Sequence, residues 1–182
     1  MPTQAHLPAY RAALERGWSP NILRPEVARE ELDRISRDPI GFLGSFDQRD
    51  PASVRGATIP LPDGSYVSRL PSMRFLIWND GFCGVIGLRW KPGTTSLPPT
   101  CLGHVGYNVL PWRRGEGLAT RALLALLPRA QDIGLPFVDL TTDPDNRASQ
   151  RVIEKAGGRF LHRFTPPAAV STVDKLLYRI DT

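Results

Sequence analysis

A basic, glycine-containing turn, Trp112-Arg113-Arg114-Gly115-Glu116-Gly117-Leu118-Ala119-Thr120, stands between a strand-like run and a helix-like run. Before it, Val105, Tyr107 and Val109 alternate with His104, Gly106 and Asn108, the period of a strand. After it, Leu118, Ala122, Leu123, Leu126 and Leu127 recur at the spacing of a broad apolar helix face. This order of elements predicts an anion cradle. The first turn of a helix leaves its N–H groups unpaired and carries the positive end of the helix dipole. Gly115 and Gly117 can take backbone angles that other residues avoid, so an anion can approach the main chain closely. Arg113 and Arg114 add charges suited to phosphate. The competing reading is an ordinary glycine turn flanked by two solvated arginines.

The turn is not a Walker loop, since no Gly-Lys-Ser/Thr closes it. It is not the dinucleotide fingerprint, because Gly115-x-Gly117 lacks a third glycine at the required offset and Ala119 comes too soon. Instead Arg114-x-x-Gly117-x-Ala119 resembles the Gln/Arg-x-x-Gly-x-Gly/Ala loop of the GNAT superfamily of acyl-CoA-dependent N-acyltransferases. A hydrophobic strand ending in Val109-Leu110-Pro111 precedes it, as in that superfamily. About one helix and one strand later, Asn146-Arg147-Ala148-Ser149 leads into Glu154-Lys155-Ala156-Gly157. This is similar to the second GNAT signature, Asn-x-x-Ser/Ala before a short helix ending in Glu-Lys-x-Gly. The resemblance covers roughly residues 103–164, and the run from Lys175 to Ile180 fits its last strand.

The resemblance implies a three-layer αβα fold. Its central sheet is mostly antiparallel and twisted, with two middle strands that are parallel and splayed around the cofactor. It implies acetyl-CoA as cosubstrate, no metal, and an amine acceptor, with a small molecule favoured over a protein. The pyrophosphate would lie on the turn Arg113, Arg114, Gly115, Glu116, Gly117, Leu118, Ala119 and Thr120, and the pantetheine arm along Val109 and Leu110. Asn146 and Ser149 of the second signature would also contact the cofactor, Asn146 by a hydrogen bond to the pantetheine chain; Asn146 is also a natural helix cap. An alkylammonium of pKa about 10.4 must lose a proton before it attacks a thioester. His104 is the candidate base, although a histidine at a strand start is also a common structural residue. A backbone N–H near Asn108 or Val109 is the candidate oxyanion donor. Many GNAT members place a tyrosine in the second-signature helix to protonate the leaving thiolate. Here the segment reads Arg151-Val152-Ile153-Glu154, so Tyr107 or Tyr178, or solvent, must substitute. Without that acid, a non-catalytic acyl-CoA-binding or sensing module is the alternative function.

At 182 residues and 41% apolar, the chain suits one domain with a real core. No apolar run is long enough to cross a bilayer, and no basic-then-apolar leader opens the sequence. Cys83 and Cys101 lie apart without metal-ligand spacing, so free thiols in the cytoplasm are expected. The net charge of +5 is carried by scattered arginines without interleaved aromatics, which argues against nucleic acid. This composition is compatible with a homodimer.

Two helices are predicted within residues 7–37, and a hairpin pairs Met73–Trp78 with Gly84–Trp90 across Asn79-Asp80-Gly81. The stretch from Asp38 to Pro71 is too long for a simple connection; it holds short strands or forms a wall of the acceptor pocket. Pro128 predicts a kink or an early end in the helix after the turn, because it lacks an N–H and clashes with the turn before it. A strand at Phe137–Thr141, a helix to Ala156 and strands at Arg159–Phe164 and Lys175–Ile180 complete the reading.

Overall fold

The computed structural model describes residues 1–182. Three helices come first: α1 (Leu7–Glu15), α2 (Val27–Arg37) and α3 (Pro39–Gly44). Asp38 starts α3 by accepting the Gly41 N–H at 2.8 Å, and Pro39 sits in the first turn, where no N–H is needed. The stretch 38–71 therefore contains α3, then β1 (Asp47–Gln48), a single helical turn at Pro51–Val54, and a hairpin of β2 (Thr58–Pro60) and β3 (Tyr66–Ser68). Strands of two or three residues are too short to show a period, which is why the sequence did not display them.

The predicted hairpin is β4 (Ser72–Trp78) and β5 (Phe82–Arg89), turning through Asp80 and Gly81, both at positive φ. Then come β6 (Val105–Val109), α4 (Leu118–Asp132), β7 (Phe137–Thr142), α5 (Arg147–Lys155), β8 (Arg159–Phe164) and β9 (Lys175–Asp181). Apart from the β2–β3 hairpin, the strands form two sheets, ordered β1-β4-β5-β6 and β7-β9-β8, with antiparallel ladders throughout.

Helices cover both faces. On one, Leu118, Leu123 and Leu126 of α4 and Ile153 of α5 pack on Leu88, Val105, Val138 and Ile180, so a single core spans both sheets. On the other, Tyr10, Leu14, Ile35 and Phe42 from the first three helices pack on Phe82 and Val85 of β5. There the buried Glu31 carboxylate accepts from Tyr10 Oη and, at 2.6 Å, from Arg74 Nη1, tying α2 to α1 and β4. Burial is the main reason that the Tyr10 phenol is pushed well above its usual pKa.

Helix α4 does not end at Pro128; it runs on to Asp132. The carbonyl that Pro128 leaves without a donor belongs to Leu124, four residues back. Both residues lie on the exposed face, where water can take that carbonyl. Buried Leu126 and Ala130 hold the helix against the core on either side of the proline.

The two sheets meet at one point. The His104 N–H donates to the Asp139 carbonyl at 2.7 Å, and the Asp139 N–H donates to His104 Nδ1 at 3.0 Å. Beyond that seam no ladder joins β6 to β7. Farther along β6 the packing is close. Gly84, at φ 149°, lies so near β6 that a Cβ there would sit 2.3 Å from the Asn108 carbonyl oxygen.

Two outcomes are expected. Gly84→Ala combines backbone strain with a collision against β6, and should cost about 2–3 kcal/mol, roughly 5–10 °C in melting temperature. An unchanged melting curve would refute the close approach. Burial also lowers the His104 pKa, against the opposing pull of the Asp139 carboxylate. The folded chain then binds fewer protons here than the unfolded chain does. This contribution to stability is complete above about pH 6.5 and is lost as pH falls through the histidine range. His104→Gln, which keeps an acceptor for the Asp139 N–H, should therefore flatten the decline in urea stability between pH 7 and 5. Identical slopes for variant and parent would contradict the assignment.

Candidate active site

The strand register decides which backbone groups are available. The Arg89 N–H bonds to the His104 carbonyl and the Leu110 N–H bonds to the Cys83 carbonyl, at 2.9 and 2.8 Å. Antiparallel alternation between those points turns the backbone of Gly106, Asn108 and Leu110 toward β5. Val105, Tyr107 and Val109 point their N–H and C=O groups the other way, toward β7. On the second sheet, the Thr182 N–H bonds to the Pro136 carbonyl, so Val138, Leu140 and Thr142 pair with β9 while Asp139 and Thr141 face β6. Closed at His104–Asp139, the space between β6 and β7 is thus a cleft with unpaired backbone on both sides. Of the two N–H groups considered as oxyanion donors, that of Asn108 belongs to the β5 ladder and that of Val109 faces away from it. Leu110, expected beside the pantetheine arm, spends its N–H on Cys83 and its carbonyl on the Arg113 N–H at 2.9 Å.

The basic turn opens this cleft. Gly117 precedes α4 in the left-handed region at φ 72°, and Gly115 lies at φ 85°. No side chain caps the helix, and the first-turn N–H groups of Leu118, Ala119 and Thr120 have no acceptor in the protein. Arg113 is not free for an anion. Its guanidinium donates to both Glu116 carboxylate oxygens, at 2.8 and 2.9 Å, and to the Asn79 carbonyl at 3.1 Å, pinning the turn to the β4–β5 hairpin. The same pair holds the Glu116 carboxyl below its usual pKa. Arg114 is exposed, forms no ion pair, and reaches back to the Val109 carbonyl at 3.4 Å.

Across the cleft, Asn146 caps α5 by accepting the Ser149 N–H at 3.0 Å, which leaves its side-chain NH2 as a donor. Buried Gln150 fixes the approach to this cap by donating to the Pro144 carbonyl at 2.8 Å. Tyr107 extends from β6 to the first turn of α5, where its Oη lies 2.8 Å from Ser149 Oγ. Burial raises the Tyr107 pKa, and the Ser149 hydrogen bond opposes that rise.

The other expected residues are placed differently. His104 Nδ1 accepts a backbone N–H, so the neutral ring carries its proton on Nε2. It is 1% exposed, and its lone pair is already in use. A base must offer a free lone pair, so His104 serves the seam and does not fit the role expected of it. The Asn108 side chain donates to the Ser19 carbonyl at 2.7 Å, anchoring the α1–α2 connection over this end of β6. Tyr178 is buried in the core beneath α5, with its hydroxyl beside Glu154, and does not join Tyr107. Burial, then the Glu154 charge, raises its pKa. Two groups on β7 were not singled out from the sequence. Thr141 presents free backbone, and Thr142 Oγ1 is buried without a partner. The alternation of Phe137–Thr142 was the available signal for the first.

Among curated proteins, none matches the sequence. Solved structures do match the fold. The microcin C7 self-immunity acetyltransferase MccE, in complex with acetyl-CoA and AMP, aligns at TM-score 0.61 and 11% identity over 100% of this chain and 89% of that one. Mycobacterium smegmatis RimJ, in complex with CoA-disulfide, aligns at TM-score 0.57 and 21% identity over 98% of this chain and 76% of its own. The ribosomal L7/L12 α-N-protein acetyltransferase RimL aligns at TM-score 0.54 and 13% identity over 98% and 89%. The sequence model of the acetyltransferase (GNAT) domain matches residues 16–159. The chain therefore belongs to the GNAT acetyltransferase family.

Proposed function

We propose that residues 1–182 form one acetyl-CoA-dependent N-acetyltransferase domain, which transfers an acetyl group directly to a primary amine, with a small molecule as acceptor. The observation that carries the reading is the uncapped first turn of α4 standing where the free backbone edge of β6 ends. An extended chain bearing amides can pair with the cleft-facing groups of Tyr107, Val109 and Thr141. A diphosphate at its end then meets the N–H groups from Gly115 to Thr120. Arg114 adds an unpaired positive charge beside them, and the Asn146 side chain offers a donor from the opposite wall.

In this arrangement the Val109 N–H is the donor available to the developing oxyanion. The incoming amine gives its proton to solvent, because the one histidine near the cleft has its lone pair committed. The leaving sulfur receives a proton from Tyr107, whose phenol reaches the α5 side of the cleft from β6. A second reading, binding without turnover, draws on Ile153. It lies in the Arg151–Glu154 stretch, which holds no tyrosine, and is 1% exposed in the core.

The test separates the two readings. Gly117→Val puts a β-branched residue at φ 72° and should weaken acetyl-CoA binding at least tenfold by calorimetry. Undiminished affinity would remove the loop assignment. Thiol release above background with a panel of primary amines supports catalysis, whereas binding without release supports the sensing module.

A further inference from the structure

The Arg151–Glu154 stretch of α5 holds no tyrosine, yet a phenol still reaches α5, from the strand side. Its partner is a single side chain. Ser149 Oγ lies 2.8 Å from Tyr107 Oη, while the Ser149 carbonyl is farther, at 3.4 Å. That carbonyl also faces the amide of the next helical turn, as carbonyls in a helix do. Two hydroxyls at 2.8 Å share one hydrogen, and each choice of donor has a consequence. If the phenol donates to serine, its proton is tied up. If serine donates to the phenol, the phenolic proton is free to turn into the cleft, and the phenolate left after transfer is stabilised.

We propose that Ser149 is a positioning residue for proton delivery: its hydroxyl donates to Tyr107 Oη and directs the phenolic proton toward the departing sulfur. This rests on the acetyltransferase reading of the cleft. When the C–S bond breaks, its electron pair stays on sulfur, which takes the phenolic proton to become a thiol. The O–H pair remains on the Tyr107 oxygen, held by the Ser149 O–H. Solvent, which has received the proton of the attacking amine, returns one to the phenolate. The sum is thioester plus amine giving amide plus thiol. The serine bond opposes the rise that burial imposes on the phenol, the direction a proton donor needs.

A probe of the sulfur tests this without knowledge of the acceptor. The full chain is labelled with 13C at tyrosine Cζ, which gives four signals, and Tyr107→Phe identifies the one of interest. CoA and desulfo-CoA are added separately. The Tyr107 signal should move with CoA and move at least twofold less with the analogue that lacks sulfur. Ser149→Ala should abolish that difference and Ser149→Thr should restore it, each spectrum being recorded at a CoA concentration that saturates the variant. Once an accepted amine is known, Ser149→Ala should lower kcat about tenfold with KM for acetyl-CoA nearly unchanged. Failure of the parent to bind CoA overturns the acetyltransferase reading itself. Binding in which Tyr107 responds equally to both probes, or in which Ser149→Ala keeps the sulfur-dependent difference, overturns the role given to Ser149.

Discussion

The hydrogen-bonded seam between His104 and Asp139 is the constraint on which the site depends. It holds the starts of β6 and β7 together, and beyond it the strands pair only with their outer neighbours. Ordinary sheet edges are blunted or covered because unpaired backbone invites another strand. Here two such edges face each other, kept apart by a core that runs under both sheets through α4 and α5. An extended ligand with amide groups is the chemical complement of that gap. The histidine at the seam is consequently a poor catalyst. Its value lies in taking the Asp139 N–H on Nδ1, which requires a neutral ring, and burial keeps it neutral.

Charge plays a smaller part at the turn than its arginines suggest. Arg113 is consumed by Glu116 and Asn79 and acts as a strut that fixes the turn on the β4–β5 hairpin. What is left for an anion is a set of oriented N–H groups, one exposed guanidinium at Arg114, and the general excess of positive charge. Oriented amides recognise a phosphate at fixed distance, while diffuse charge attracts any anion and is screened by salt. In the proposed binding mode, specific recognition at this turn falls to the backbone, whose conformation depends on two glycines at positive φ.

The parts of the fold that were legible in the sequence are those with a strong local period or a required backbone conformation. The β4–β5 hairpin, the alternation in β6, the glycines before α4 and the Asn146 cap all fall in that group. Residues 38–71 were illegible because their strands are shorter than a period, and α3 is held by tertiary packing of Phe42. The early end that Pro128 allowed does not occur for a related reason: the packing of Leu126 and Ala130 outweighs one missing hydrogen bond on a wet face. The commitment of Arg113 to Glu116 and the tautomer of His104 are three-dimensional facts with no signature in residue order.

The helix after Asn146 holds no tyrosine, and the proposed proton donor comes from β6 instead. In this chain α5 uses position 153 to pack the core, and an isoleucine there is 1% exposed. A polar ring at that position would need a partner for its hydroxyl or a route out of the core. Tyr107 has both: it starts from a strand that lines the cleft, and it ends on the Ser149 hydroxyl at the exposed start of α5. Tyr107 thus brings a phenol to the junction of β6 and the first turn of α5. The proposed proton donor is then defined by where its oxygen ends up, so reading the helix motif alone would assign this chain no acid.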